Sequence, residues 1–379
     1  MRFSGFDDEW IEEKLGNLVQ IKSGECTKNL ITGIDNSIPY FKVEQLNNSL
    51  KYQIKTPYFI NDKSKIVNKG SIIFPKRGAA ILLNKIRILN QDSFMDTNLM
   101  TLTPNNKLYN EFLYYFIYKE NLSKIADTTS IPQLNNKHIK PYPIKLPSFE
   151  EQLKISKFIS SVDKKVALLS QNLEIFNDFK KGLLQQIFTQ KLRFDFSDEW
   201  NYVNFNNIFK SASTKKYQIK SAEIMANGDF EVIDQGKDEI AGYFNDKNKL
   251  CYELPIIIYG DHTTFVKFRD KPFIVGADGV KLLLPKIDSN LKYLFYALEY
   301  FNIKPEGYKR HFSIIKKIKL PIPSLEEQNE ISEMFSSVDN KLKYTQKQLQ
   351  ETKKFKKGLL QQMFVVQLIL SLLQNKKHI

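Results

Sequence analysis

PSFEEQLKISKFISSVDKKVALLSQNLEIFNDFKKGLLQQIF, residues 147–188, returns as PSLEEQNEISEMFSSVDNKLKYTQKQLQETKKFKKGLLQQMF, residues 323–364. The offset is a constant 176 residues without a gap, and 22 of the 42 aligned positions are identical. A second echo opens each half: Phe6-Asp7-Asp8-Glu9-Trp10 against Phe196-Ser197-Asp198-Glu199-Trp200, which holds the only two tryptophans. Two copies at so long a period mean a duplicated module, not a solenoid. The chain therefore divides into a globular segment (1–146), a long helix (147–190), a second globular segment (191–322), a second long helix (323–364) and a tail (365–379).

Each repeat opens on Pro-Ser with Glu three residues after the serine, as Ser148 and Glu151, then Ser324 and Glu327. This is a capping-box pattern, in which each side chain satisfies an orphan backbone N–H. From there an apolar seam runs Ile155, Ile159, Val162, Val166, Leu169, Leu173, Phe176, Lys180, Leu183, Ile187. Its spacing alternates four and three, the a/d rhythm of a coiled coil, with one break at Lys180. The second seam is Ile331, Phe335, Val338, Leu342, Thr345, Leu349, Thr352, Lys356, Leu359, Met363, with its lysine at the same place. A lone helix with so narrow a stripe is marginal, so the two are expected to pack on each other, each about 60 Å long at ~1.5 Å per residue. Gly182 and Gly358 sit inside the pattern at a cost of ~1 kcal/mol relative to Ala, and their recurrence predicts close helix approach or a kink.

The globular segments read as mixed α/β. Gly70–Pro75 and Leu254–Gly260 are short apolar runs bounded by turn residues, the pattern of buried strands. Glu111–Tyr118 (EFLYYFIY) and Leu291–Tyr300 (LKYLFYALEY) read as aromatic helices packing on a sheet. Between such landmarks the two segments share little sequence: the frame is duplicated and the contents have diverged.

Composition narrows the classes. A chain of 379 residues holds two or three domains, and 42% hydrophobic with 13% aromatic residues describes a folded protein. Cys26 and Cys251 form no CxxC pair and, with four scattered histidines, no zinc spacing, so a reducing cytoplasm is expected. The N-terminus is too acidic and polar for a signal peptide. No apolar run approaches the ~20 residues of a membrane span; the nearest, 363–373, is interrupted by Gln367 and Ser371. Of the formal +14 charge, +10 falls on the globular segments, a basic surface suited to a polyanion such as nucleic acid.

With these residues in view, the chain resembles the specificity (S) subunit of type I restriction–modification enzymes over nearly its whole length. The resemblance rests on three strings that each occur twice. They are the PS-x-EEQ helix start (after Leu146 in the first copy and Ile322 in the second), the Val-Asp-x-Lys segment (Val162-Asp163-Lys164-Lys165; Val338-Asp339-Asn340-Lys341) and the Lys-Lys-Gly-Leu-Leu-Gln-Gln ending. Tyr259–Phe268 with Gly276-Ala277-Asp278-Gly279 resembles one class of that family's target-recognition domains, and Ile38–Val43 the opening of another. The resemblance implies two target-recognition domains, each reading half of a bipartite DNA site, on two helices paired as an antiparallel coiled coil. It further implies double-stranded DNA, two methylation (M) subunits and restriction (R) subunits as partners. S-adenosylmethionine, ATP and Mg2+ would belong to those partners, and this chain would hold no cofactor or metal and do no chemistry of its own. The tail VVQLILSLLQNKKHI departs from the family in being unusually hydrophobic. Rival readings are the specificity subunit of a type IIB-like system, a self-contained nuclease or methyltransferase, and a coiled-coil scaffold with no DNA role.

The residues themselves give an enzyme little support. An Asn/Asp-Pro-Pro-aromatic motif for a flipped adenine is missing, the nearest string being Asp35-Asn36-Ser37-Ile38-Pro39-Tyr40; Walker and GxGxxG loops are missing too. Asp278-Gly279-Val280-Lys281 only faintly resembles a nuclease carboxylate–lysine pair, and Asp261-His262 reads as a polar loop before a catalytic dyad. For DNA contact the expected residues follow the apolar strands: Lys76 and Arg77 in the first domain; His262, Thr263, Thr264 and Lys267 in the second. Arg pairs with guanine in bidentate fashion, while Lys and Thr hold phosphates. Asn135, Asn136, Lys137, Lys309 and Arg310, which precede the helix starts, are expected to grip the backbone, with solvated loops as the equal alternative.

Overall fold

The computed structural model describes residues 2–27, 30–32, 37–61, 66–128, 131–276, 278–307 and 309–365. Asp35, Asn36 and Ala277 of the strings above, and the hydrophobic tail after Val365, lie outside the described residues. The fold is mixed α/β. The chain separates into two compact units, Met1–Leu168 with Gln348–Ile379, and Leu169–Lys347. Their boundaries fall inside the two long helices, Phe149–Phe188 and Leu325–Val365, so each unit contains half of each helix.

In the first unit, Ile11–Lys14 pairs antiparallel with Pro143–Leu146 to form a ribbon just before the helix start. A five-stranded sheet follows in the order Val19–Ser23, Leu99–Pro104, Ile72–Pro75, Arg87–Leu89, Tyr52–Gln53. Ile72, Ile73 and Phe74 are buried on both faces, which is why this stretch is continuously apolar rather than alternating. Gly70, at φ +86°, turns the chain into that strand, a backbone shape that costs glycine little. The aromatic helix Asn110–Glu120 lies in one core with Ile72, Phe74 and Met100 of the sheet and with Ile155, Ile159, Leu359 and Met363 of the long helices.

The second unit repeats the plan. Asn201–Asn204 and Lys319–Ile322 form the ribbon, and Phe209–Ala212, Val280–Pro285, Ile256–Gly260 and Val266–Arg269 form a sheet in that order. The helix Leu291–Tyr300 shares a core with that sheet and with Leu183, Ile187, Ile331 and Phe335. A second four-stranded sheet (Gln218–Ile219, Ile274–Gly276, Phe230–Ile233, Gly242–Phe244) completes it. Divergent sequence therefore carries a shared scaffold: apart from the landmark strands and helices, the residues differ while the order of ribbon, sheet and helix holds.

The long helices settle three expectations. Ser148 Oγ accepts the Glu151 N–H at 3.3 Å and Ser324 Oγ that of Glu327 at 3.2 Å, so the serine half of each capping box forms. The glutamate half does not. The buried Glu151 carboxylate instead takes the Arg2 guanidinium at 2.9 Å through both oxygens and the Trp10 Nε1–H at 3.1 Å. Glu327 does the same with Arg193, at 2.9 Å, and Trp200, at 3.0 Å. A bidentate charge-assisted pair outweighs one neutral backbone bond, and the recurring tryptophans are explained as its third member. The seam breaks are also explained. Lys356 Nζ lies 2.5 Å from Asp163 in the first unit, and Lys180 Nζ lies 3.0 Å from Asp339 in the second. The duplicated aspartate and the duplicated lysine meet across the helix pair once in each unit, in keeping with the antiparallel pairing expected of the repeats. The expectation of a close helix approach at the glycines fails. A Cβ on Gly182 or Gly358 would meet nothing within 4 Å, and each helix continues through its glycine.

Candidate nucleic-acid interface

The structure brings the two groups of expected contacts in the first domain onto one edge. Lys76 follows the strand Ile72–Pro75, donates its N–H to Asn98 O at 2.8 Å and accepts from Leu134 N–H at 2.9 Å. Arg77 bridges to Gln133, and Gly78, at φ +80°, donates to Pro132 O at 2.9 Å. Asn135, two residues from that bridge, leads into the short helix Asn136–Ile139. Its N–H donates to His138 Nδ1 at 3.3 Å. Arg77, Asn135, Asn136 and Lys137 are exposed. Lys76 is half-buried, and burial, aided by Arg77, holds its ammonium below the ordinary lysine pKa.

The second domain repeats this closure with different residues. The turn after Ile256–Gly260 is tied to the segment before the short helix Phe312–Ile315. His311 N–H donates to Asp261 O at 2.7 Å, and Phe312 N–H to Asp261 Oδ1 at 2.8 Å. His311 Nε2 accepts the Glu306 N–H at 3.0 Å and so folds the intervening loop back. Lys309 and Arg310 stand exposed on that loop, Lys309 paired with Glu306. Of the expected turn residues, Thr264 is buried at φ +62°, with its carbonyl accepting Asn302 Nδ2–H at 2.6 Å. Lys267 donates to Asp234 O at 2.9 Å and Asp238 O at 2.6 Å, and burial outweighs Asp234 to lower its pKa. Its ammonium organises the neighbouring loop.

One residue joins these parts and gave no signal in the sequence. Gln235 Oε1 accepts the His262 N–H at 3.0 Å, its backbone carbonyl accepts the Thr263 hydroxyl, and its Nε2–H donates to Asp278 O at 3.1 Å. A Cβ at Gly279, where φ is +85°, would sit 2.6 Å from Gln235 Nε2, so glycine is required for this contact. Asp278 in turn accepts from Gln218 Nε2–H at 2.7 Å, beside a groove that Lys215, Lys220 and Lys249 also line. Lys281, read with Asp278 as a faint nuclease pair, lies 3.6 Å from Asp261 instead.

Both units thus present the same device: a turn after a buried central strand, stitched to the basic segment that leads into the ribbon. The chain matches the family model described as the type I restriction modification DNA specificity domain twice, over residues 7–175 and 197–354. It belongs to that family. The type I restriction enzyme MjaVIII specificity subunit of Methanocaldococcus jannaschii is 24% identical over 93% of this chain and 91% of its own length. The S subunit of a type I restriction–modification system from M. genitalium superposes with a TM-score of 0.64 over 96% of this chain and 97% of that one, at 17% identity. A chain from a second solved type I system superposes at 0.52 over 96% and 99%, at 14% identity. The two closed turns are accordingly placed in the specificity domains of a DNA specificity subunit. No helix among the described residues is long and apolar enough to cross a membrane.

Proposed function

We propose that this specificity subunit reads a bipartite DNA site, one half per recognition domain, and that the paired helices set the gap between halves. The observation that carries the reading is the duplicated clamp. Glu151 with Arg2 and Trp10, and Glu327 with Arg193 and Trp200, tie each recognition domain to one long-helix start. Rigid attachment turns helix length into a spacing between two readers. Arg77, Asn135, Asn136 and Lys137 serve the first half-site, by base-edge and phosphate contact. His262, Thr263, Lys309 and Arg310 serve the second, joined by Lys215, Lys220 and Lys249; Thr264 and Lys267 shape that surface from beneath.

In this proposal the chain is non-catalytic and acts in the cytoplasm. Methylation subunits bring S-adenosylmethionine, and restriction subunits bring ATP and Mg2+. The test is to co-express the chain with a methylation subunit and map methylated adenines across a host genome by single-molecule sequencing. A two-part motif with a fixed gap, lost when this chain is omitted, is the expected result. Methylation unchanged without the chain, or methylation or cleavage by the purified chain alone, would refute it.

A further inference from the structure

Within the first unit, a groove of about 650 Å³ opens between the end of the aromatic helix and the last turns of the second long helix. Five lysines line it: Lys119, Lys124, Lys353, Lys356 and Lys357. Two are already held, Lys119 by Glu120 at 2.5 Å and Lys356 by Asp163 at 2.5 Å. The carboxylates are equally committed, since Glu120 also accepts from Tyr142 OH at 2.6 Å and Asp163 from Tyr115 OH at 2.7 Å. Lys124, Lys353 and Lys357 are exposed, with no ion pair among the described residues, and leave the groove an unneutralised cluster of positive charge.

The internal repeat supplies a control for this charge. The residue pairs Tyr115–Asp163 and Tyr296–Asp339 match, at 2.7 and 2.8 Å, and set the two aromatic helices in register. In that register Tyr118 stands where the second unit has Glu299. Lys356 lies 4.8 Å over the Tyr118 ring, whereas Lys180 is paired with the Glu299 carboxylate at 3.0 Å. Along the long helices, Lys353 and Lys354 replace Asn177 and Asp178 at the 176-residue offset. Among the groove residues, a tyrosine thus stands for a carboxylate and Lys353 for an amide, both raising the charge in the first unit, while Lys357 keeps its counterpart Lys181.

Place within the unit argues for the occupant. Asn84, a wall of the groove, ends the loop that begins at Lys76 and Arg77, and its side chain fixes Tyr118 O and Leu122 N–H at 3.0 Å each. Lys124 is three residues from Asp127, which bridges to the Gln133 that also bridges Arg77. The groove and the recognition edge are therefore two ends of the same stitched segments. We propose that the groove takes phosphodiesters of the bound DNA outside the bases being read, an accessory backbone contact present in the first unit and absent from the second. Long, separately mobile ammonium groups without an arginine fork suit phosphates held as point charges. The inference rests on the proposal that the chain binds DNA.

The test uses the full chain assembled with its methylation subunit and a duplex carrying the mapped site. Affinity is measured against KCl concentration for wild type, for the Lys124→Gln/Lys353→Asn/Lys357→Gln triple variant, and for the three Lys→Arg replacements. Once the triple variant leaves three phosphates unneutralised, the slope of log K against log salt is expected to become about 2.7 units shallower. A fourfold rise in salt then costs wild type roughly 40-fold more affinity than the triple variant. The methylated motif should be unchanged and the arginine variant should keep the wild-type slope. Lys353→Asn alone, which installs the residue of the other repeat, should remove about 0.9 units and guards against a folding defect in the triple. An unchanged slope with the complex intact overturns the proposal. So does loss of the methylation subunit by the triple variant, which would make the groove a protein contact. If wild type itself shows no salt-dependent binding to the site, the DNA reading fails first and this inference with it.

Discussion

The two units use one clamp and two fillings. At the clamp they agree closely: a buried glutamate bound by one arginine and one tryptophan, and an aspartate bound by one tyrosine and one lysine from the antiparallel helix. Beyond the clamp they differ in sheet edges, loop lengths and the chemistry of the recognition turns. The difference separates two constraints on one duplicated sequence. A buried ion pair cannot lose one member without stranding the other in a poor solvent for charge, so its residues stay together. Exposed turn residues carry no such mutual dependence and have drifted apart.

The sharpest test of this comparison sits at one seam position in both copies. Ile159 and Phe335 correspond at the 176-residue offset, and both are fully buried. Phe335 packs its ring 4.9 Å from Tyr296, so Phe335→Ala is expected to cost about 3–5 kcal/mol and Ile159→Val only about 0.5–1.5 kcal/mol. Chemical denaturation followed by circular dichroism reads both. Similar losses would mean the second unit does not depend on its larger core residue.

Next in size are the matched lysines. Burial opposes the charge on Lys180, yet Glu299 and Asp339 together outweigh it and hold its pKa above the ordinary value. Lys180→Met strands two carboxylates, Lys356→Met only Asp163. The first is expected to cost about 2–3 kcal/mol and the second about half that, both moderated because the carboxylates keep some contact with water. Burial raises the Glu299 pKa even with Lys180 present. A raised folded-state pKa gives stability that is full below the unfolded value and is lost as pH climbs through the folded one. Without Lys180 that rise grows, so the Lys180→Met deficit should be largest at neutral pH and shrink towards pH 4. A deficit independent of pH would mean the carboxylates are not what the lysine neutralises.

Sequence periodicity made the frame legible because long helices and buried strands are written in residue spacing. The seams, the strands at Ile72–Pro75 and Ile256–Gly260, and both aromatic helices stand where the apolar pattern places them. The recognition surface was legible only by address. Lys76 and Arg77 were expected after one strand, Asn135 and Lys137 before one helix, but their meeting on one edge depends on hydrogen bonds between Gly78 and Pro132 and between Lys76 and Leu134. Gln235 was invisible for the same reason: nothing in its neighbours along the chain shows that residues 262, 263 and 278 converge on it. Glu151 and Glu327 read as local caps in the sequence because their partners Arg2 and Arg193 lie 149 and 134 residues away.

Gln235 gives a third comparison, between half-sites. Gln235→Ala removes the side-chain hydrogen bonds to His262 N–H and Asp278 O in the second domain and touches nothing in the first. At about 1–2 kcal/mol for unsatisfied partners, discrimination within the second half-site is expected to fall roughly tenfold while the first half-site holds. Methylation mapping compares the two directly, each half serving as the control for the other. Equal relaxation of both halves would point to a loosened scaffold, and the role given to Gln235 as a local keystone would be lost.

The smallest effect is expected where the copies agree without visible need. Gly182 and Gly358 adopt helical backbone, and a Cβ on either would meet nothing within 4 Å among the described residues. Glycine at such a place lowers helix stability and enlarges the unfolded ensemble, so Gly182→Ala and Gly358→Ala should each stabilise the isolated chain by about 0.5–1 kcal/mol. Thermal melts of the two variants would show it as a rise of a few degrees. Since no internal contact requires either glycine, a stabilised variant that assembles poorly with the methylation subunit would locate the requirement on the outer face of the helices, in both copies alike. Normal assembly by both variants would leave the shared glycine a relic of the duplication, tolerated because each helix is held by its clamps at Glu151 and Glu327.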